Sequence, residues 1–262
     1  MKTKCNEGKK LTIALFLAVA VSVPVFAMTG TEVMQKAYDV AEPKFSHSAV
    51  QMDLIDANGT VETRMMEEWG KMENDLVSTV MVFRSPASVK DTRFLQVEND
   101  GRPNDKWIYL PALRTTRRIA SCEGDKSFMG TDATYDDLET REVAVDNHEL
   151  IGEENVGSYV CYKVKSVAKN ASESQYGYRL SYIDQESFVP VKVEMFDKHE
   201  EPCKVLMVES LKQQDGYWIP FTSYMVDLQS GHSTRLTILQ LQLDKPISSK
   251  LFSTSFLKTG RV

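Results

Sequence analysis

Few residues in this chain have catalytic or ligating chemistry, and they are scattered. His47, His148, His199 and His232 are spread along the sequence, and only His199 has a second soft ligand nearby, Cys203. That pair flanks Pro202 in an expected turn and falls short of the four ligands of a structural zinc site. Asp132, Asp136 and Asp137 resemble part of a calcium loop but lack its alternate-residue spacing and its glycine, so helix capping and solvation explain them better. Met52, Met65, Met66, Met72 and Met81 crowd one region. Thioethers can hold Cu(I), but no histidine is clustered with them, and core packing is the expectation. Nucleophile elbow, P-loop, dinucleotide fingerprint and zinc-protease helix are all missing from the sequence. The expectation is no catalytic residue, no metal and no cofactor, hence not an enzyme.

One basic run stands apart: Arg114, Arg117 and Arg118, within residues 113–119. Read as a strand, it places Arg114 and Arg118 on one face and Arg117 on the other. Two readings stay open. One is a charged edge strand that resists aggregation. The other is a head-group or partner contact, for which the planar guanidinium fork is suited.

The elements that would position such groups are mostly strands. Residues 29–42 read as a helix, capped by Thr29 or Thr31, with Val33, Ala37, Val40 and Ala41 in one stripe and Pro43 as the stop. From Val50 onward the apolar period becomes two. Asn58-Gly59 marks a hairpin, with Val61, Met65 and Trp69 on one face of the returning strand. Residues 76–83 form an unbroken apolar run, as expected of a strand covered on both faces. Further strands are expected at 93–97, 106–110, 159–167, 176–183, 189–196, 204–211, 217–228 and 233–243. Only 132–138, inside a Gly-, Asp- and Ser-rich stretch, offers a second short helix. About ten or eleven strands without a flexible linker imply one antiparallel sheet that must curl. The fold class is therefore mainly β (α+β). A single curled sheet forms an incomplete barrel, closed by an N-terminal helix and a helical or loop lid insertion.

Export is expected as well. Lys2, Lys4, Lys9 and Lys10 precede an apolar run from Leu11 to Val23, and Val25-Phe26-Ala27 supplies small residues for a cut. Residues 1–27 are the expected signal peptide and 28–262 a single domain. The cut removes four lysines and Glu7, taking the net charge from −6 to −9, which disfavours nucleic acid as a partner. Cys5 precedes the apolar run, so it is not a lipid-anchor cysteine. Cys122, Cys161 and Cys203 allow at most one bridge, and buried small hydrophobes are the expectation.

The block DKWIYLPALRTTRRI at 105–119, KSFMGTD at 126–132 and YDDL at 135–138 resembles the outer-membrane lipoprotein-sorting protein family, relatives of the LolA/LolB carriers. PVKVE at 190–194, DGYWIP at 215–220 and the closing Leu251-Phe252-Ser253 with Phe256-Leu257 agree with it. The resemblance implies an open half-barrel with an apolar cavity. It also implies a soluble, monomeric periplasmic carrier of acyl chains, on lipoproteins or as free lipid, working with an inner-membrane transporter. A sensor of the same fold that contacts an inner-membrane partner is the alternative. Cavity and lid candidates are Met52, Leu54, Met65, Trp69, Val80, Val82, Trp107, Tyr109, Phe128, Met129, Tyr178 and Leu180, with strand parity leaving open which face lines the cavity.

Overall fold

The computed structural model describes residues 28–262, so the expected signal segment and Cys5 lie outside the described residues. Helix α1 (Gly30–Tyr38) begins at Thr29, whose hydroxyl accepts from the Glu32 amide while the Glu32 carboxylate takes the Thr29 amide. This reciprocal box satisfies two of the helix's otherwise orphaned donors. The helix ends four residues before the expected end at Glu42. Val40 and Ala41 fall outside it, because only Val33 is fully buried on its apolar side and nothing holds a further turn. A Cβ at Gly30 would meet the backbone of Leu150 at 2.6 Å, so glycine is what lets α1 approach the sheet.

Thirteen strands follow. The first six are β1 (Phe45–Ile55), β2 (Val61–Glu73), β3 (Leu76–Ser85), β4 (Arg93–Val97), β5 (Asp105–Leu110) and β6 (Thr115–Ile119). The remaining seven are β7 (Asp146–Val156), β8 (Tyr159–Ala168), β9 (Tyr178–Asp184), β10 (Pro190–Phe196), β11 (Pro202–Gln214), β12 (Tyr217–Asp227) and β13 (Ser233–Leu243). A short C-terminal helix, α2 (Thr254–Thr259), closes the described chain. All strands join one antiparallel sheet in the order β6-β5-β4-β3-β2-β1-β13-β12-β11-β10-β9-β8-β7. The excess over the expected count comes from the two edges. Residues 115–119 of the basic run form edge strand β6. Strand β7, DNHELIGEENV, is mostly exposed and polar, so it has no alternating apolar signal to read.

Register divides the sheet into two faces. Val50 of β1 lies level with Met66 on β2 and Ile238 on β13, Met52 lies level with Leu236 on β13, and Leu54 shares their face. Met81, Phe94 and Ile108 continue the same face through β3, β4 and β5. Val80, Leu95 and Trp107 open on the opposite face. There Val80, Val82 and Leu95 pack against Leu251, Phe256 and Leu257 of the C-terminal segment. Strand β3 is therefore covered on both sides, as its unbroken apolar run requires.

Strands β6 and β7 are consecutive in sequence yet form the two outer edges. The chain between them, residues 120–145, therefore crosses the inner face as a strap. Adjacent carboxylates on it reach opposite walls: Asp136 lies 3.4 Å from Lys106 of β5, and Asp137 lies 3.3 Å from Lys204 of β11. Two strands so far apart in sheet order can flank neighbouring residues only if the sheet curls around the strap. The helix expected at 132–138 is replaced by turns, because the Asp137 side chain caps the Thr134 amide and Thr134 bridges to Ser127. The three cysteines among the described residues are free. Cys161 is buried and Cys203 half-buried, but Cys122 is exposed in the turn that opens the strap, contrary to the buried role expected for it.

Leu257 is fully buried between α2 and the outer face of β3–β5. Leu257→Ala should cost about 2–5 kcal/mol in urea unfolding, the range for buried leucine truncation. A loss below about 0.5 kcal/mol would show that the C-terminal segment is not part of the cooperative fold.

Candidate functional site

The strap is a tight hairpin. The Phe128 amide donates to the Ala133 carbonyl at 2.8 Å, and the Tyr135 amide to the Lys126 carbonyl at 3.1 Å. At its tip, Met129 and Gly130 both adopt positive φ, 53° and 79°. Glycine takes that conformation freely, whereas methionine pays roughly 1 kcal/mol for it. This geometry drives Phe128 inward, leaving it 2% exposed. Its ring sits edge-on to Phe94 at 5.0 Å and to Tyr135 at 5.8 Å, with Phe83 at 6.3 Å. Val50, Met52, Leu54, Met66 and Ile108 complete this cluster, with Met129 packed at its margin. The inner face of β1–β5 is thus filled by the protein's own strap.

Polar groups from distant strands hold the strap down. Arg64 donates to the Met129 carbonyl at 2.6 Å. The Asp132 carboxylate accepts from the Thr234 hydroxyl at 2.6 Å and faces the His232 ring nitrogen at 2.9 Å. Asp137 takes the Tyr176 hydroxyl at 3.0 Å, besides Lys204. Burial and the adjacent Asp137 carboxylate push the Tyr176 phenol far above its ordinary range, so it stays a donor. Lys106 reaches Glu139 at 2.7 Å, and Gln96 donates to the Leu138 carbonyl. Of the three aspartates expected to cap and solvate a helix, Asp132 and Asp137 are instead buried attachment points of the strap, while Asp136 stays exposed beside Lys106.

Helix α1 packs on β7 and β8, and α2 on β4–β6. Away from α1, the inner face of the middle strands carries Val193, Leu206, Leu236 and Ile238, all half-buried, beside buried Met225. One carboxyl intrudes on this face. Glu68 of β2 lies level with Ser48 and Met81, with no hydrogen bond or ion pair among the described residues. Burial alone pushes it up to about 7. The described residues hold no cluster of potential metal ligands. A separate cleft of about 380 Å³ beside α1 is lined by polar groups including Thr31, Gln35, Asp146, His148 and Lys169.

The expected site residues fall into separate groups. Met52, Leu54, Phe128 and Met129 meet on the inner face. Trp69, Val80, Val82, Trp107 and Tyr109 gather on the outer face under the C-terminal segment, and Met65 shares the strand parity of Trp69. Tyr178 and Leu180 lie away from both groups. Tyr178 stacks on Phe196 at 4.3 Å beneath Lys165, and Leu180 packs beside Tyr182. The register therefore does not bring these twelve residues to one wall. Of the arginines, Arg117 pairs with Glu123 at 3.0 Å and Arg118 with Asp105 at 2.5 Å. Arg114 lies outside β6, in the preceding turn with φ 49°, so it does not share a strand face with Arg118. None of Arg64, Tyr176, Lys204, His232 and Thr234 was expected at this site from the sequence, where His232 read only as an isolated histidine. Their strap partners lie 39 to 102 residues away, and no local pattern marks contacts of that range.

An open, curled antiparallel sheet with a strap across its trough is a LolA-like fold. A domain from Vibrio parahaemolyticus named for outer membrane lipoprotein sorting superposes with a TM-score of 0.81 at 27% identity, covering 87% of this chain and 98% of its own. A DUF1329 family protein from Desulfovibrio piger gives 0.82 at 26% identity, covering 87% and 97%. A LolA superfamily protein from Nitrosomonas europaea shares the fold at 0.67 and 17% identity, covering 88% and 100%. A family model described as "-like: Uncharacterized protein" matches residues 75–259. The chain belongs to that family. No curated protein matches it significantly.

Glu68 makes stability depend on pH. Its folded value lies above the ordinary 4.5, so the folded chain holds a proton that the unfolded chain releases. Stability should fall as pH rises from about 4.5 through about 7. Glu68→Gln should remove most of that slope and be more stable than the parent at pH 8, by roughly 2 kcal/mol. Parallel urea titrations at pH 5 and pH 8 check this; an unchanged slope would mean that Glu68 is solvated.

Proposed function

We propose that this protein is a periplasmic carrier, exported by its N-terminal segment, that shields acyl chains of lipoproteins or free lipids in the strapped trough. It would take cargo from an inner-membrane transporter and shuttle it between membranes. The reading is one of binding, not of catalysis. The observation that carries it is the strap itself: Phe128, Met129 and Tyr135 fill an apolar trough from a segment outside the sheet, held largely by exchangeable polar contacts. Its relatives named for lipoprotein sorting support the same reading.

The energetics suit reversible loading. A long acyl chain gains on the order of 10 kcal/mol by leaving water, at about 0.8 kcal/mol per methylene. Exposing one large strap side chain costs only about 1.5–3 kcal/mol. Cargo can therefore displace the plug, and the plug's return assists release. The half-buried floor of Leu206, Leu236 and Ile238 is where a chain would first make apolar contact.

The test is transfer of a fluorescent lipid from donor to acceptor vesicles, alongside mass spectrometry of lipid extracted from protein purified under mild conditions. Phe128→Ala should lower stability by about 3–5 kcal/mol yet raise the fraction of protein carrying lipid, because the competing plug is gone. Leu236→Glu should abolish uptake while the protein stays folded. Absence of bound lipid and of transfer in every form would refute the carrier reading.

A further inference from the structure

The end of the trough farther from Glu68 holds a cation that the fold does not use. Arg179 of β9 lies between Met195 on β10 and Ser166 on β8, neither of which can neutralise it. The Ser166 hydroxyl is already engaged by His148 at 2.8 Å. Two carboxylates are close enough to be felt, and both are committed elsewhere. Asp146 receives both arms of Arg141, at 2.7 and 2.5 Å, and Asp137 is taken by Tyr176 and Lys204. Among the described residues the Arg179 side chain has no hydrogen bond and no ion pair, although a guanidinium carries five donors. Burial, followed by repulsion from Arg141, holds its pKa below the ordinary range.

A half-buried guanidinium without a protein acceptor adds nothing to the pairing of the sheet, and a neutral residue would serve the strand at least as well. Its orientation is nevertheless fixed, since it lies 4.8 Å over the ring of Tyr176, the residue that clasps the strap. Tyr176 also belongs to the apolar cluster with Met195 and Met225, against which Val193 and Leu206 pack. An oriented, unpaired cation thus borders an apolar floor, the arrangement that an anionic amphiphile matches.

We infer that Arg179 binds the oxyanion head group of the molecule whose acyl chain occupies the trough, so that cargo with a phosphate-type head is preferred over cargo without net charge. This deepens the carrier reading and rests on it. The planar fork can meet two oxygens of such a group at once. Arg114, Arg117 and Arg118 are poorer candidates, since Arg117 and Arg118 are already paired and Arg114 lies in an exposed turn.

The experiment is calorimetric titration of the exported chain with two short-chain lipids of equal acyl length, dihexanoyl-phosphatidylglycerol and dihexanoylglycerol, which lacks the phosphate, and with inorganic phosphate. The parent protein should prefer the anionic lipid. Arg179→Gln should weaken that lipid about tenfold or more, the loss of a charge-assisted hydrogen bond, and leave the phosphate-free lipid unchanged. Arg179→Lys, which keeps the charge without the fork, should fall between them and stands in if the glutamine variant does not fold. Equal binding of both lipids by the parent, or an unchanged preference in the variants, overturns the inference and leaves the carrier reading standing. Inorganic phosphate binding as tightly as the anionic lipid overturns the head-group assignment in favour of a free-anion site. Failure of both lipids to bind the parent refutes the carrier reading and this inference with it.

Discussion

The organising constraint is topological. Strands β6 and β7 are joined in sequence but form opposite edges of a thirteen-stranded sheet, so residues 120–145 must cross the open side. Once the sheet curls, the crossing segment lies over an apolar face that neither helix covers. Burying that face is then the strap's task. Phe128, Met129 and Tyr135 do it with side chains that belong to no strand. The roof of the trough and the connection between its edges are the same piece of chain, so an opened roof stays tethered at both ends.

The strap is fastened unlike an ordinary core segment. Its apolar contacts come from few side chains, while its ends and middle are tied by Arg64, Lys106, His232, Thr234, Tyr176 and Lys204. Polar ties in a partly dry site fix one geometry strongly, yet water can replace them at modest net cost when the strap lifts. A fully apolar roof would lose its burial with no such compensation. This difference separates a segment that must stay shut from one that can open.

Much of the scaffold was legible from periodicity and turn chemistry. The Asn58-Gly59 hairpin, the doubly covered strand at 76–83, and strands at 93–97 and 233–243 all appear where local pattern placed them. Strand β7 was invisible because an exposed polar edge has no apolar period. The site was less legible, for two reasons. Parity groups residues within a strand but not across strands, so Val80 and Met52 could not be assigned to different faces until register was known. The strap's ties, such as Asp132 to Thr234, join residues 102 apart and depend wholly on how the sheet curls.

The central claim is that acyl cargo and the strap compete for one apolar trough. Amide hydrogen exchange over residues 124–138, with and without a bound fatty acyl ligand, tests it most directly. The account predicts that ligand binding speeds exchange at Phe128 and Tyr135, whose amides now bond across the hairpin, while protection rises in β11–β13. Bound ligand with unchanged or greater strap protection would contradict it.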